Sequence, residues 1–277
     1  MRVSLPQAYR KCQLTRAGIL LKMCNTNTLS IIEKDPMLSL KSAELAIAML
    51  TFFLAYLVVV TIAGSVSAWV AQKMGDSSAA DAGFLTLNPF QHIDLLGLMF
   101  FFMLGIGWDK HMPIDPTSIY ARSNVVRWIK ICVAYWARSF AHFTVGTIAM
   151  ALLFLQFGSG AIRLVLESMT MRLISPEKFG LLYPDHSSLM ISIGLVLVSI
   201  VHISLLFAVF DFLLNAFAVV MAFLIEKSPE YAQYYNMVTI FLYLTVIVMF
   251  IIPQFWWFVL TLMSWWGYAL ASIFTTT

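Results

Sequence analysis

Apolar residues in this chain come in long runs separated by short polar stretches, and the lengths of the runs predict the elements. The first run covers about residues 42–70, with Glu44 in its opening turn, where a helix N-terminus favours an acid. The second, 95–108, falls short of the roughly 20 residues that a spanning helix needs, so a re-entrant, tilted or protein-buried segment is expected there. Four more follow at about 128–157, 189–225, 237–252 and 255–274. The 189–225 run is nearly unbroken, and as one helix it would be about 56 Å long against a hydrocarbon thickness of about 30 Å. It must tilt, project from the membrane, or break. Between the runs, 73–92 is polar and turn-rich, with Asn88-Pro89 breaking any helix. The connection 158–188 carries Arg163, Glu167, Arg172, Glu177, Lys178, Asp185 and His186, and a short amphipathic helix is predicted over 161–173. Residues 226–236 form a polar turn around Pro229. No series of short alternating segments suggests a barrel.

Composition agrees with the pattern. Hydrophobic residues make up 61% and charged residues 11%, where a soluble domain carries roughly a quarter charged. The mean hydropathy is +0.85. An all-α polytopic integral membrane protein is predicted, with a membrane domain over 42–277 in contact with the bilayer. Residues 1–41 form a basic extension, with Arg2, Arg10, Lys11, Arg16, Lys22, Lys34 and Lys41 against Glu33 and Asp35. It is expected to be disordered, with a lipid-headgroup or partner-binding arm as the alternative, and a start at Met37 would remove most of it. The net charge of +3 is spread over tail and loops, without the basic stripe that nucleic acid requires. Cys12, Cys24 and Cys132 have neither disulfide nor metal-knuckle spacing. Trp256, Trp257, Trp265, Trp266 and Tyr268 are either interface aromatics or fillers of a helix contact.

The most informative stretch runs from Thr61 to Gly97, TIAGSVSAWVAQKMGD and then GFLTLNPFQHIDLLG after a short spacer. It resembles the signature of the site-2 protease family, zinc metalloproteases that cut peptide bonds inside the bilayer. That signature reads His-Glu-x-x-His-Ala-Trp-x-Ala-x-x-x-Gly-Asp, then some ten residues ending in Gly-Arg, then Leu-Thr-Leu-Asn-Pro-x-x-His-x-Asp-x-x-Gly. Ala68, Trp69, Ala71, Gly75, Asp76, Gly83, Leu85, Thr86, Leu87, Asn88, Pro89, His92, Asp94 and Gly97 keep its frame. The resemblance implies a helical core with short extended segments near the active site. It is strong over about 60–97, partial to about 157 and weak beyond.

The chemistry is missing from that frame. Where the family has its zinc histidines and catalytic glutamate, this chain has Ala63, Ser67 and Gly64. A zinc hydrolase needs two imidazoles one helical turn apart and a carboxylate to activate water. The counterpart of the family's third ligand, an aspartate, is Val219. The resemblance therefore implies zinc, and the substitutions predict its absence, with no peptidase activity. The small residues Gly64, Ser65 and Ser67 suggest instead a site refilled as a tight helix contact. By the same resemblance Asn88, Pro89, His92 and Asp94 frame the site without holding metal. Gly-x-Gly-Trp at 105–108, followed by Met112-Pro113-Ile114-Asp115-Pro116, partly matches a family segment whose edge strand receives substrate, with His111 or Met112 in place of its first proline. On the next helix the family's small residues are replaced by Tyr135 and Trp136, against close approach there.

Arg138, His142, His202 and Asp211 fall at membrane depth, where charges are expensive and usually paired. An Arg138–Asp211 ion pair is expected, with Asn215 one turn from Asp211 as a hydrogen-bond partner. An improvised zinc site from His142, His202 and Asp211 is the alternative, opposed by the nine-residue spacing of His202 and Asp211, which puts them on opposite faces of a continuous helix. The five histidines, at 92, 111, 142, 186 and 202, never fall four apart. Three functions remain: a non-catalytic protease relative that binds other membrane proteins or serves as a subunit of a membrane complex, an active protease with displaced ligands, and a small transporter or channel component. The last would show related halves with paired broken helices, and no internal repeat is found. The basic tail argues for a cytoplasmic N-terminus, whereas the resemblance implies the opposite orientation.

Overall fold

The computed structural model describes residues 42–104, 107–169, 174 and 176–275, and the 1–41 extension lies outside the described residues. Nine α-helices are found among the described residues: α1 (Ser42–Met74), α2 (Ser78–Asp81), α3 (Leu95–Leu104), α4 (Asn124–Phe157), α5 (Ile162–Met169), α6 (Pro176–Leu182), α7 (Ser188–Lys227), α8 (Tyr235–Ile251) and α9 (Pro253–Thr275). No strand occurs among them.

Every apolar run has become a helix. Among the described residues, four helices are long and apolar enough to cross a membrane: Glu44–Met74, Asn124–Phe157, Ser188–Lys227 and Trp257–Phe274. The protein is a multi-pass membrane protein. α4 begins where the Ser123 hydroxyl accepts from Val126 N (3.3 Å), and α7 where the Ser187 hydroxyl accepts from Met190 N (3.4 Å), each satisfying a donor of an open helix start. α7 runs through its 40 residues without interruption, about 60 Å in length. The segment Asn215 to Val220 holds no proline, so nothing removes a hydrogen bond from its ladder.

α4 and α7 pack most extensively, and α1 lies against both. Ala134, Ala137, Ala141 and Gly146 on α4 keep the backbones close, since apolar side chains gain little by leaving lipid for protein. One buried cluster joins α4, α5, α6, α7 and α9 around Leu153, Phe179 and Val198. A second joins α1, α3 and α7 around Tyr56, Phe101 and Phe207. A third collects Ala68, Phe84, Met112, Ile119, Ile131 and Ala218, tying two loops to α1, α4 and α7. The predicted amphipathic helix is α5, whose Ile162, Leu164 and Val165 are buried in the first cluster. α3 is a ten-residue apolar helix, too short to span.

Candidate functional site

On α1, Ala63 and Ser67 are wholly buried, and Ser67 Oγ lies 3.4 Å from Met112 Sδ. Gly64 carries the closest approach. A Cβ built there would stand 2.2 Å from His92 Nδ1, because the Nδ1 side of the imidazole closes on the bare helix backbone. His92 Nε2 donates to the Thr86 carbonyl at 2.8 Å. A carbonyl only accepts, so Nε2 carries a proton, and Nδ1, buried without a hydrogen-bond partner, offers a second proton nothing to bond, which favours the neutral ring. Burial holds its pKa below the usual histidine range, with the Thr86 carbonyl opposing. Ser65 Oγ is 3.4 Å from the same nitrogen, which, committed to Thr86, is no base for a serine nucleophile. The side chain at 64 is thus replaced by a ring from a loop, where a tight contact with another helix was expected.

The loops around this contact are held by named groups. Asn88 Oδ1 accepts from Phe90 N (3.2 Å), opening the short 3-10 turn Pro89–Gln91. Asp94 Oδ1 accepts from Gly97 N (2.7 Å) at the start of α3. Gly97 itself admits no side chain, because a Cβ there would lie 2.1 Å from the Trp108 carbonyl oxygen. This contact brings the chain after α3 back into the core. Buried Asp76 accepts from Ser78 N (2.9 Å) and Asp115 N (2.9 Å), fixing the incoming segment to the end of α1. Arg127 then bonds the carbonyls of Ile119 (3.0 Å) and Pro116 (3.1 Å) and reaches both Glu226 oxygens at 2.9 Å. Residues 107–123 form no strand, so the expected edge strand is absent there.

That loop delivers Asp109 into the helix core, 4% exposed. Arg138 Nη1 donates to Asp109 Oδ1 and to the Lys110 carbonyl, each at 2.9 Å. His142, one turn along α4 and fully buried, places Nε2 3.5 Å from Asp109 Oδ2 and 3.3 Å from Asp211 Oδ2. Burial alone would raise the pKa of Asp109, but the Arg138 guanidinium and then His142 outweigh it and hold the carboxyl below its usual range. A cavity of about 60 Å³ opens beside the group, lined among others by Ser67, Asp109, Arg138, Asp211 and Asn215.

Two expectations are corrected here. The direct Arg138–Asp211 pair is replaced by a bridged one: Arg138 takes Asp109, and Asp211 meets His142. The cause is the loop, which inserts an acid level with both α4 groups. Of the improvised set His142, His202 and Asp211, the structure joins the first and last and puts Asp109 in place of His202. On unbroken α7, His202 faces away and packs edge-on to Phe52, ring centroids 5.5 Å apart. Asn215 lines the cavity with Asp211, while Val219 packs at the edge of the third apolar cluster. Trp136 stacks on Phe212 and Tyr135 is buried, so α4 meets its neighbours through alanines beside aromatics. Sequence reasoning missed Asp109. Its available signal was Arg138 and His142 on one face of a membrane helix, a pair of cationic groups that calls for more than one acid.

No family model matches the chain, and no solved structure does. One curated protein, "Putative zinc metalloprotease YwhC" of Bacillus subtilis (strain 168), is 42% identical over 48 residues, which is 17% of this chain and 22% of that protein. The similarity thus covers about a fifth of the relative's length. The positions at which the sequence resemblance would place a zinc ion do not fit one: Ala63, Ser67 and Val219 offer no imidazole or carboxylate, and His92 fills the space beside Gly64. The chain is a multi-pass α-helical membrane protein that carries a short stretch related to a zinc metalloprotease.

Proposed function

We propose that the protein is a non-catalytic relative of the site-2 proteases, which binds transmembrane segments of other membrane proteins without cutting them. The observation that carries this reading is the His92 ring seated on Gly64. It occupies the place of a general base and is fixed there by Thr86 and by burial. Loss of the ligands at 63, 67 and 219 agrees with it.

Holding without cutting needs a laterally open apolar surface. Between α1 and α4 lies a groove of about 1050 Å³, lined by Ile62, Val66 and Val70 on one side and Trp128, Val133 and Phe140 on the other. Ala137 and Ala141 also line it, and small residues admit the close backbone approach of another helix. Its occupant is a single transmembrane helix, because two long helices bound it side by side.

The test uses the full chain reconstituted in vesicles with fluorescently labelled single-span helices. Saturable association is expected, weakened when Val133 is replaced by Trp to fill the groove, with the helices intact after prolonged incubation. Chelator-sensitive cleavage would overturn the reading, and so would the lack of any association.

A further inference from the structure

The cluster on α4 and α7 has a geometry that ion pairing does not explain. His142 is wholly buried, yet Nε2 has no hydrogen-bond partner, and neither has Asp211 Oδ2, although the two atoms lie 3.3 Å apart. The contacts at 3.3 Å and 3.5 Å are close enough for attraction but lack hydrogen-bond alignment. An orphaned buried donor or acceptor is destabilising, so two of them at one point ask for an occupant. A tetrahedral ion with bonds of about 2.0–2.2 Å to nitrogen and oxygen sets its ligand atoms about 3.3–3.5 Å apart. Both imidazole-to-carboxylate separations match that edge. Ligand atoms of Asp109, His142 and Asp211 all lie within 4.8 Å of one another.

We propose that Asp109, His142 and Asp211 bind a divalent metal ion of the zinc class, with the remaining position open to the adjoining cavity. The site is built from α4, α7 and the loop after α3, and uses none of positions 63, 64, 67 and 219. Arg138 keeps one oxygen of Asp109 and leaves the other for the ion, holding the carboxylate as a second-tier partner does around a metal. The cavity of about 60 Å³ has room for a water on the open position. Charge favours a cation. Two carboxylates against one guanidinium leave an excess negative charge at membrane depth when the imidazole is neutral. The competing occupant is a proton on His142, but one N–H bonds one carboxylate well, and here both lie off line.

The full-length protein, purified in mild detergent, is stripped with chelator, reloaded with Zn²⁺ and desalted, and its metal content is measured. About one Zn²⁺ per chain is expected, falling at least tenfold in His142→Gln and in Asp211→Asn, and unchanged in His202→Gln. Folding of each variant is checked by circular dichroism and gel filtration. X-ray absorption of the zinc-loaded wild type needs no variant: a shell of nitrogen and oxygen with a single imidazole is expected. No zinc above the detergent blank, equal retention in His142→Gln, loss in a folded His202→Gln, sulfur ligation, or two imidazoles would each overturn the proposal. It is independent of the holding function: metal content tests this site, and vesicle association tests that one.

Discussion

Replacing Gly64 by alanine sets two effects against each other with opposite signs. Helix propensity alone favours alanine over glycine in a helix interior by about 0.8–1.0 kcal/mol. Against this, the new Cβ would stand 2.2 Å from His92 Nδ1, 2.8 Å from Cε1 and 3.0 Å from Cγ. The ring would have to withdraw by about 1 Å to reach ordinary contact. It is poorly placed to do so, being 1% exposed, edge-on to Phe84 and bonded to Thr86. Withdrawal breaks the 2.8 Å bond and orphans a buried donor, about 1–3 kcal/mol. Crowding of the packed neighbours adds about 1–3 kcal/mol. After propensity is subtracted, Gly64→Ala is expected to destabilise by about 1–5 kcal/mol. In a His92→Ala background the clash is gone, and the same substitution should stabilise, by up to about 1 kcal/mol. Unfolding by SDS in mixed micelles, followed by tryptophan fluorescence, measures the four proteins of this double-mutant cycle. A neutral or stabilising Gly64→Ala with His92 present, or an equal loss with and without the imidazole, would refute the packing argument.

Three further outcomes follow from the same geometry. Introducing the site-2 protease pattern with Ala63→His, Gly64→Glu, Ser67→His and Val219→Asp should give no cleavage of a helical substrate in the presence of Zn²⁺, and zinc-dependent cleavage would show that these positions converge. Arg138→Leu leaves Asp109 buried without its guanidinium partner and should destabilise by about 3–5 kcal/mol, whereas Arg138→Leu with Asp109→Asn should recover part of that in the SDS assay; strict additivity would refute the coupling. His92 binds a proton less readily folded than unfolded, so its contribution is fully present above the unfolded value of about 6.5 and is lost as pH falls through the depressed folded value. The unfolding midpoint should therefore drop on going from pH 7.5 to 5, and less so in His92→Gln; an equal drop in both would assign the effect to other groups.

The helical body was legible in the chain because each spanning segment is a long apolar run, and length alone separates helix from strand in lipid. The ends were less so. α4 begins at Asn124 rather than near 128 because Ser123 caps a first turn that carries little apolar signal. α7 continues to Lys227 because no proline interrupts it before Pro229. The candidate site was legible only by half. Arg138, His142 and Asp211 stand out in any reading, since charges at membrane depth are rare. Asp109 does not, because its depth depends on contacts remote in sequence: Gly97 against Trp108, Asp76 with Asp115, and Arg127 with Pro116 and Ile119. The first is a backbone approach and the other two are side chains bonding a remote backbone, and no periodicity encodes either.

The distribution of polar groups gives the last step. On α1, the positions around Gly64 are small and carry no charge, and a neutral imidazole from a loop seals them. On α4, α7 and the loop after α3, beside the cavity that Ser67 of α1 also lines, the chain holds Asp109, Arg138, His142 and Asp211 at 0–7% exposure. A scaffold needing only rigidity would be served as well or better by apolar side chains of similar volume, since buried charges are at best neutral for stability. Around Gly64 this fold packs small uncharged residues and a loop ring at comparable depth, so its core does not require charge. Retention of the second set therefore points to a binding requirement at α4 and α7, and the metal measurement with His142→Gln and Asp211→Asn addresses that requirement directly.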